Sequence, residues 1–367
     1  MPDRAPALPA LAIEPHPARV SDADRADRIA DPGFGRIFTD HMASAVWNTE
    51  QGWHDARITP RVPLQIDPAT SVLHYAQEIF EGMKAYRTAD GAMALFRPQE
   101  NARRFNASAR RMAMPEIPEA LFLEAVRQVV ATDADWFPGV PGGALYIRPF
   151  MFSSDVRLGV RPASEYRFLV IVSPVGNYFR GDPTAIKLWV SRNYVRAAPG
   201  GTGEAKCGGN YAGSLVAQAE AIERGCDQVV YLDAIERKWV EELGGMNLFF
   251  VMDDGTLVTP PLGGTILPGI TRDSLITIAR DEGLTVREER YGIDQWRADA
   301  ASGRLVESFA CGTAAVVTPV GEVRDGDSVF TIGSGGPGQL TQRLRQRLVD
   351  IQYGRAPDRH NWVESIG

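Results

Sequence analysis

Long apolar runs are missing from this chain. Its most apolar stretch, Phe168 to Val172, is far shorter than the roughly 20 residues of a membrane-spanning helix, so a soluble protein is expected. Blocks of lysine or arginine are missing too. The 46 acidic and 39 basic side chains give a net charge of −7, without the basic patch that nucleic acid or an anionic membrane surface requires. Cysteine is scarce: Cys207, Cys226 and Cys311 form neither a paired framework nor a close cluster, as in a chain kept reduced in the cytoplasm. Each is expected to be a small buried hydrophobe. His16, His41, His54, His74 and His360 lack the short spacings of a zinc site, and no metal is expected. Prolines interrupt any signal-peptide core in the first thirty residues, which read as a loosely ordered arm.

What is present suffices for two cores. A chain of 367 residues, 44% hydrophobic and 23% charged, exceeds what one core usually serves. The apolar segment from Ser71 breaks at Ala89-Asp90-Gly91 and resumes to Phe96, which predicts a hairpin. Helices are predicted over Asn101 to Met112 and about Glu119 to Asp133, then strands over Ala144 to Phe152 and Tyr166 to Val172. Pro174, Gly176, Gly181 and Pro183 mark Ser173 to Thr184 as a linker.

Beyond it, Ile186 to Val190 reads as a strand, Pro199 to Gly209 as a glycine-rich loop, and Tyr211 to Arg224 as one helix closed by Gly225. Gln228 to Leu232, Asn247 to Met252 and Leu257 to Thr259 read as strands, the last two joined at Asp254-Gly255. Thr271 to Asp281 is an amphipathic helix. Leu305 to Val317 is strand material around a Gly312-Thr313 turn. Strands and helices mix without strict alternation, so the pattern supports a two-domain chain of mixed α and β structure.

The loop Gly200-Gly201-Thr202-Gly203-Glu204-Ala205-Lys206 is not a phosphate-cradling P-loop, which needs Gly before the lysine and Ser or Thr after it; here Ala205 and Cys207 stand there. By composition alone Lys206 would be a solvated charge. The residues next to it change that. Lys206-Cys207-Gly208-Gly209-Asn210-Tyr211 resembles the cofactor-lysine segment of the branched-chain aminotransferases, within the class IV PLP-dependent family. The likeness continues in Glu242-Leu243-Gly244-Gly245-Met246-Asn247, in Leu267-Pro268-Gly269-Ile270-Thr271-Arg272-Asp273 and in Cys311-Gly312-Thr313-Ala314-Ala315. Upstream it includes Tyr75 to Tyr86, Phe96-Arg97-Pro98 with Asn101 and Arg104, and Tyr146-Ile147-Arg148-Pro149.

The resemblance implies an α+β chain of PLP fold type IV. Its small N-terminal α+β domain would cover 1–177, with the arm at about 1–30, and its larger domain, with a β-barrel-like core, 178–367. It implies pyridoxal 5′-phosphate as cofactor, a homodimer, and transamination between branched-chain L-amino acids (leucine, isoleucine, valine) and 2-oxoglutarate. Lys206 would be the catalytic, cofactor-carrying lysine, since this chemistry needs an amine to form a Schiff base and to shuttle a proton. Glu242 would partner the pyridine nitrogen; spacing alone does not choose between it and Glu241. Tyr211 would bond the cofactor's phenolic oxygen, with Leu267 an apolar neighbour of the ring.

The Gly269-Ile270-Thr271 turn opens a helix whose N–H groups and dipole suit a phosphate, and the resemblance adds Arg104 and Thr313 there. Phe80, Tyr75 and Tyr178 resemble pocket aromatics, though a stripe of aromatics also suits a core. Tyr146 with the Thr313-Ala314 turn resembles the α-carboxylate site, and Arg148, beside a Tyr75 hydroxyl, would receive glutamate's distal carboxylate. A D-amino acid aminotransferase or an aminodeoxychorismate lyase would share the cofactor residues; Tyr75 to Lys84 and Tyr146 to Pro149 favour the branched-chain group. Some relatives carry a redox-active cysteine pair after the Gly-Thr-Ala turn. Here Ala315, Val316, Val317 and Thr318 occupy that place, and no thiol switch is expected.

Overall fold

Alternating burial along two long central strands sets the architecture of the first part of the chain. The computed structural model describes residues 11–176 and 185–366. They fall into two units: Met1–Tyr178 with Ala205–Gly208 and Gln352–Gly367, and Phe179–Glu204 with Gly209–Ile351. The larger domain expected over 178–367 thus cedes the lysine tetrapeptide and the C-terminal strand to the first unit.

The first unit is built on strands β1 (Ala12–Ile13), β2 (His41–Asn48), β3 (Gly52–Pro60), β4 (Glu78–Phe80), β5 (Met83–Arg87), β6 (Met93–Phe96), β7 (Ala144–Ser153) and β8 (Glu165–Val175), completed by a C-terminal strand, Val363–Ile366. Their order is β1-β3-β2-β8-β7-β5-β6 and then the C-terminal strand, with β4 on β7. In register, Ile147 faces Val172 and Met151 faces Phe168, and successive residues of a strand face opposite sides. These four side chains are wholly buried. On the same side Phe105 of the helix Pro98–Arg111 and Phe122 of the helix Glu119–Thr132 close a triangle with Phe168, at ring separations of 5.3, 5.6 and 5.8 Å. The opposite side carries Tyr146, Arg148 and Phe150, all half-buried.

Two expectations change here. The arm contains ordered structure: a helix spans Asp22–Ala30, with the Ser21 side chain accepting from the Asp24 amide and acidic residues in its first turn. None of its residues is buried, so it lacks the apolar stripe that would have marked it in sequence. The expected linker starts later, because β8 runs on to Val175 and carries Ser173 and Pro174 opposite Tyr146 and Leu145.

In the second unit β9 (Ile186–Ser191), β10 (Gln228–Leu232), β11 (Val240–Leu243), β12 (Asn247–Met252), β15 (Leu305–Gly312) and β16 (Val316–Asp325) form a closed ring, β11-β10-β9-β16-β15-β12, sealed by β11 pairing with β12. This is the expected barrel-like core. β13 (Leu257–Thr259) and β14 (Val286–Glu288) extend from β12, and β17 (Ser328–Thr331) from β16. Phe250 anchors the packing against Tyr291 and Trp296 at 4.4 and 4.9 Å. The helix expected from Tyr211 to Arg224 is two, Gly208–Ala212 and Leu215–Glu223. Between them lie Gly213, a weak helix former, and Ser214, whose hydroxyl bonds the Tyr211 carbonyl at 2.7 Å. Gly225, at φ 67°, closes the second in the left-handed region. Among the described residues no helix is long and apolar enough to cross a membrane. All three cysteines are buried and unpaired, as expected.

Candidate active site

Residues 205–208 present the predicted lysine in the first unit. Ala205 and Cys207 are each 1% exposed and packed into the first core, and Lys206 between them is half-buried. Backbone bonds fix the segment. The Lys206 amide donates to Ser108 Oγ at 2.9 Å, its carbonyl accepts from the Phe80 amide at 2.9 Å, and the Gly208 amide donates to Glu78 Oε1. Lys206 Nζ lies 4.8 Å from the Phe80 ring centre, and the Arg148 guanidinium 4.6 Å from the same centre.

Arg148 Nη2 donates to the Tyr146 hydroxyl at 2.9 Å, while its buried Nε finds no acceptor among the described residues. The hydroxyl that Arg148 reaches is therefore Tyr146's; Tyr75 ends the short helix Val72–Tyr75 and is 39% exposed. A side chain at Gly82 would collide with the Tyr146 hydroxyl, which accounts for glycine there. Tyr178 lies outside the described residues.

Arg104 is the predicted phosphate contact. Its Nε and Nη2 bond Glu81 at 2.7 and 2.8 Å, and Asn101 Nδ2, one helical turn earlier, donates to the same carboxylate at 2.8 Å. Burial is the largest influence on Glu81 and opposes its charge. Arg104, Lys206 and Asn101 together outweigh it and hold the carboxyl below its ordinary range. A carboxyl held low contributes stability fully present above its unfolded pKa and lost as pH falls through the folded one. Glu81→Gln should therefore cost about 3–5 kcal/mol at neutral pH, the usual result of breaking a buried pair. Urea denaturation should show the gap from wild type narrowing on acidification; a gap independent of pH would remove the ionic account.

In the second unit the acidic pair divides. Glu242 is 2% exposed. Its Oε1 accepts from the Leu267 amide at 2.9 Å and meets Arg196 at 2.9 Å, and its Oε2 accepts from Asn247 Nδ2 at 3.1 Å. Asn247 is the residue directly opposite Glu242 in the β11–β12 pairing, and its Nδ2 also donates to the Leu267 carbonyl at 3.1 Å. Arg196 further donates to the carbonyls of Gly203 and Thr265. Glu241 instead lines a cavity of about 290 Å³ with Trp239, Leu262 and Thr265. Burial pushes its carboxyl up, although the Thr265 hydroxyl bonds it at 2.6 Å.

Gly269 stands at the start of the helix Ile270–Asp281 with no side chain capping the first turn. The leading N–H groups of that turn suit an anion. A Cβ at Gly269 would run into the Asn247 amide oxygen, so the close approach requires glycine. Thr271 is buried and Ile270 half-buried. Thr313 and Ala314 belong to the turn between β15 and β16, whose last pair is Gly312 with Val316. The Tyr211 ring lies beside Gly245, where an added Cβ would stand 3.9 Å from it.

Three participants escaped the sequence reading. Glu81 lies inside an apolar segment, and a second carboxylate there, three residues after Glu78, was the available signal. Arg196 resembles any loop arginine until Glu242 is placed beside it. Phe34, in the N-terminal region, packs edge-on against Tyr146 at 4.9 Å, and only the fold brings it there.

Comparison with known proteins shows the family. Residues 78–323 match the family described as Amino-transferase class IV. The chain is 55% identical over 359 residues to a probable branched-chain-amino-acid aminotransferase of Streptomyces coelicolor, covering 98% of this chain and 99% of that protein. It is likewise 55% identical over 351 residues to the branched-chain-amino-acid aminotransferase of Mycobacterium tuberculosis, covering 95% of each. A solved branched-chain amino acid aminotransferase from Thermobaculum terrenum, in its PLP-bound holo form, superposes with a TM-score of 0.69 at 25% identity, covering 88% of this chain and 98% of that one.

Proposed function

The chain belongs to the class IV aminotransferases, and on that premise we propose that it moves the amino group between leucine, isoleucine or valine and 2-oxoglutarate with pyridoxal 5′-phosphate. What carries the reading is that relatives bearing this activity in their names align along nearly the whole chain.

The residues fit the cofactor. The uncapped turn at Gly269, Ile270 and Thr271, where a Cβ would fill the close approach to Asn247, would take the phosphate, to which the resemblance also assigns Arg104 and Thr313. Glu242, held by Arg196 and two donors, would partner the pyridine nitrogen. Leu267 would lie against the ring and Tyr211 would bond the phenolic oxygen. When bound, pyridoxal phosphate supplies the electron sink that weakens the substrate Cα–H bond.

The chain's own residues supply the rest. Lys206 Nζ would hold the cofactor and, as the free amine, would move a proton between the substrate Cα and the cofactor's C4′. Glu242 would keep the pyridine nitrogen protonated. The resemblance assigns the α-carboxylate to Tyr146 and to the Thr313-Ala314 turn, and Phe80, with Tyr75, would exclude water around an aliphatic side chain.

An amino-donor panel with 2-oxoglutarate tests the reading: leucine, isoleucine and valine should turn over, and turnover confined to D-amino acids would overturn it. Within that panel, Arg148 would hold glutamate's second carboxylate, a group leucine lacks. Losing such a charge-assisted contact costs about 1.5 to 3 kcal/mol, roughly tenfold to a hundredfold. Arg148→Leu should lower kcat/KM in the glutamate half-reaction by that factor and spare leucine. Equal losses in stopped-flow runs of both half-reactions would reduce Arg148 to a framework residue.

The assembly we propose is a homodimer. Leu73, Tyr75, Val156, Leu158 and Val160 are 58%, 39%, 62%, 66% and 87% exposed. They form adjoining segments, joined by the Thr70–Val156 bridge and by the Ser71 amide on the Asp155 carbonyl. An apolar surface of this kind suits a protein interface. The buried free cysteines suit a cytoplasmic location.

A further inference from the structure

Phe80 has two cations against its ring, Arg148 at 4.6 Å and Lys206 at 4.8 Å. Like charges gathered at one half-buried ring repel each other unless an anion shares the surface. The strand register supplies one. In the β4–β7 pairing Phe80 faces Phe150 and Glu78 faces Phe152, so Glu78, Phe80, Phe150 and, two residues along β7, Arg148 share one side of the sheet. Glu78 Oε1 is also the acceptor of the Gly208 amide, two residues beyond Lys206.

Resting on the aminotransferase function, we propose that Glu78 is a positioning and specificity-determining residue: it anchors the lysine segment through Gly208 and acts as resident counter-charge to Arg148, restraining Arg148's attraction for a dicarboxylate substrate. Such restraint addresses the difficulty of a dual-specificity pocket. An uncompensated arginine would be costly to bury beside a leucine side chain and would hold glutamate too tightly for release. A nearby carboxylate lessens both effects. The titration behaviour of Glu78 agrees with this placement: burial raises its pKa, and the Gly208 amide and the Arg148 charge pull it back.

The two roles separate by substitution in the holoenzyme. Glu78→Gln keeps an oxygen for the Gly208 amide and removes the charge; Glu78→Ala removes both. At about pH 8, well above the carboxylate range, Glu78→Gln should raise kcat/KM for the glutamate half-reaction relative to leucine by about fivefold, the size of a partly exposed ion-pair term. Binding of glutarate should tighten against 4-methylpentanoate by a similar factor in calorimetry. Glu78→Ala should slow both half-reactions, with the glutamine variant rescuing leucine turnover. An unchanged glutamate-to-leucine ratio and an unchanged glutarate preference in Glu78→Gln would overturn the inference. Wild-type enzyme inactive on leucine would instead overturn the function on which it rests.

Discussion

Lys206→Ala is expected to abolish borohydride-fixable attachment of pyridoxal phosphate and to slow transamination about a thousandfold or more, within the range for loss of a positioned proton-transfer group. The substitution removes only the side chain beyond Cβ. The Lys206 N–H hydrogen bond to Ser108 Oγ, the bond its carbonyl accepts from Phe80 and the buried neighbours Ala205 and Cys207 are left in place, so the cofactor-free protein should still fold, with a melting temperature lowered only by the counter-charge that Glu81 loses. The test is sharp because the chain has just three other lysines, Lys84, Lys187 and Lys238. Peptide mapping after reduction should place the label on Lys206 in the wild type and on none of the others in the variant. Label on any of those three would remove the central assignment.

The second large effect is expected from Glu242→Gln. A glutamine there can still accept from the Leu267 amide, yet it carries no charge to hold a proton on the pyridine nitrogen or to answer Arg196, which meets it at 2.9 Å. The phosphate anchors proposed at Gly269 to Thr271 lie on a different element. Cofactor affinity should therefore fall modestly while the single-turnover rate falls by about a hundredfold or more, the scale of losing one preorganised electrostatic partner. Unchanged single-turnover kinetics would falsify the role of Glu242. A large loss of affinity with an unchanged rate would make it a binding residue only.

Local pattern in the sequence disclosed much of the fold. The β5–β6 hairpin follows from Ala89-Asp90-Gly91, and the helices Pro98–Arg111 and Glu119–Thr132 from apolar spacing and flanking prolines. The strand Val240–Leu243 was not read as one: it is four residues long and half of it is glutamate, a composition that resembles a solvated turn. It is nevertheless the strand that closes the barrel. Glu242 could be preferred over Glu241 only through family resemblance, since what distinguishes them is Arg196, Asn247 and Leu267 on one side and a cavity on the other. Glu81 was hidden for a related reason. Its partner Arg104 lies 23 residues away, among other arginines, and the helix that aims it must be placed before the pair exists.

The first unit borrows from the far end of the chain. Val363–Ile366 pairs along β6, from Val363 opposite Phe96 to Ile366 opposite Met93, and residues 205–208 fill part of its core. During vectorial synthesis a nascent chain that has just cleared β8 lacks both. Its β6 edge is open, and Ser108 Oγ and the Phe80 amide await partners not yet made. The N-terminal unit therefore reaches its final form only after Val363–Ile366 has been synthesised, and a premature stop anywhere before Val363 leaves an unsealed sheet margin exposed to aggregation or proteolysis.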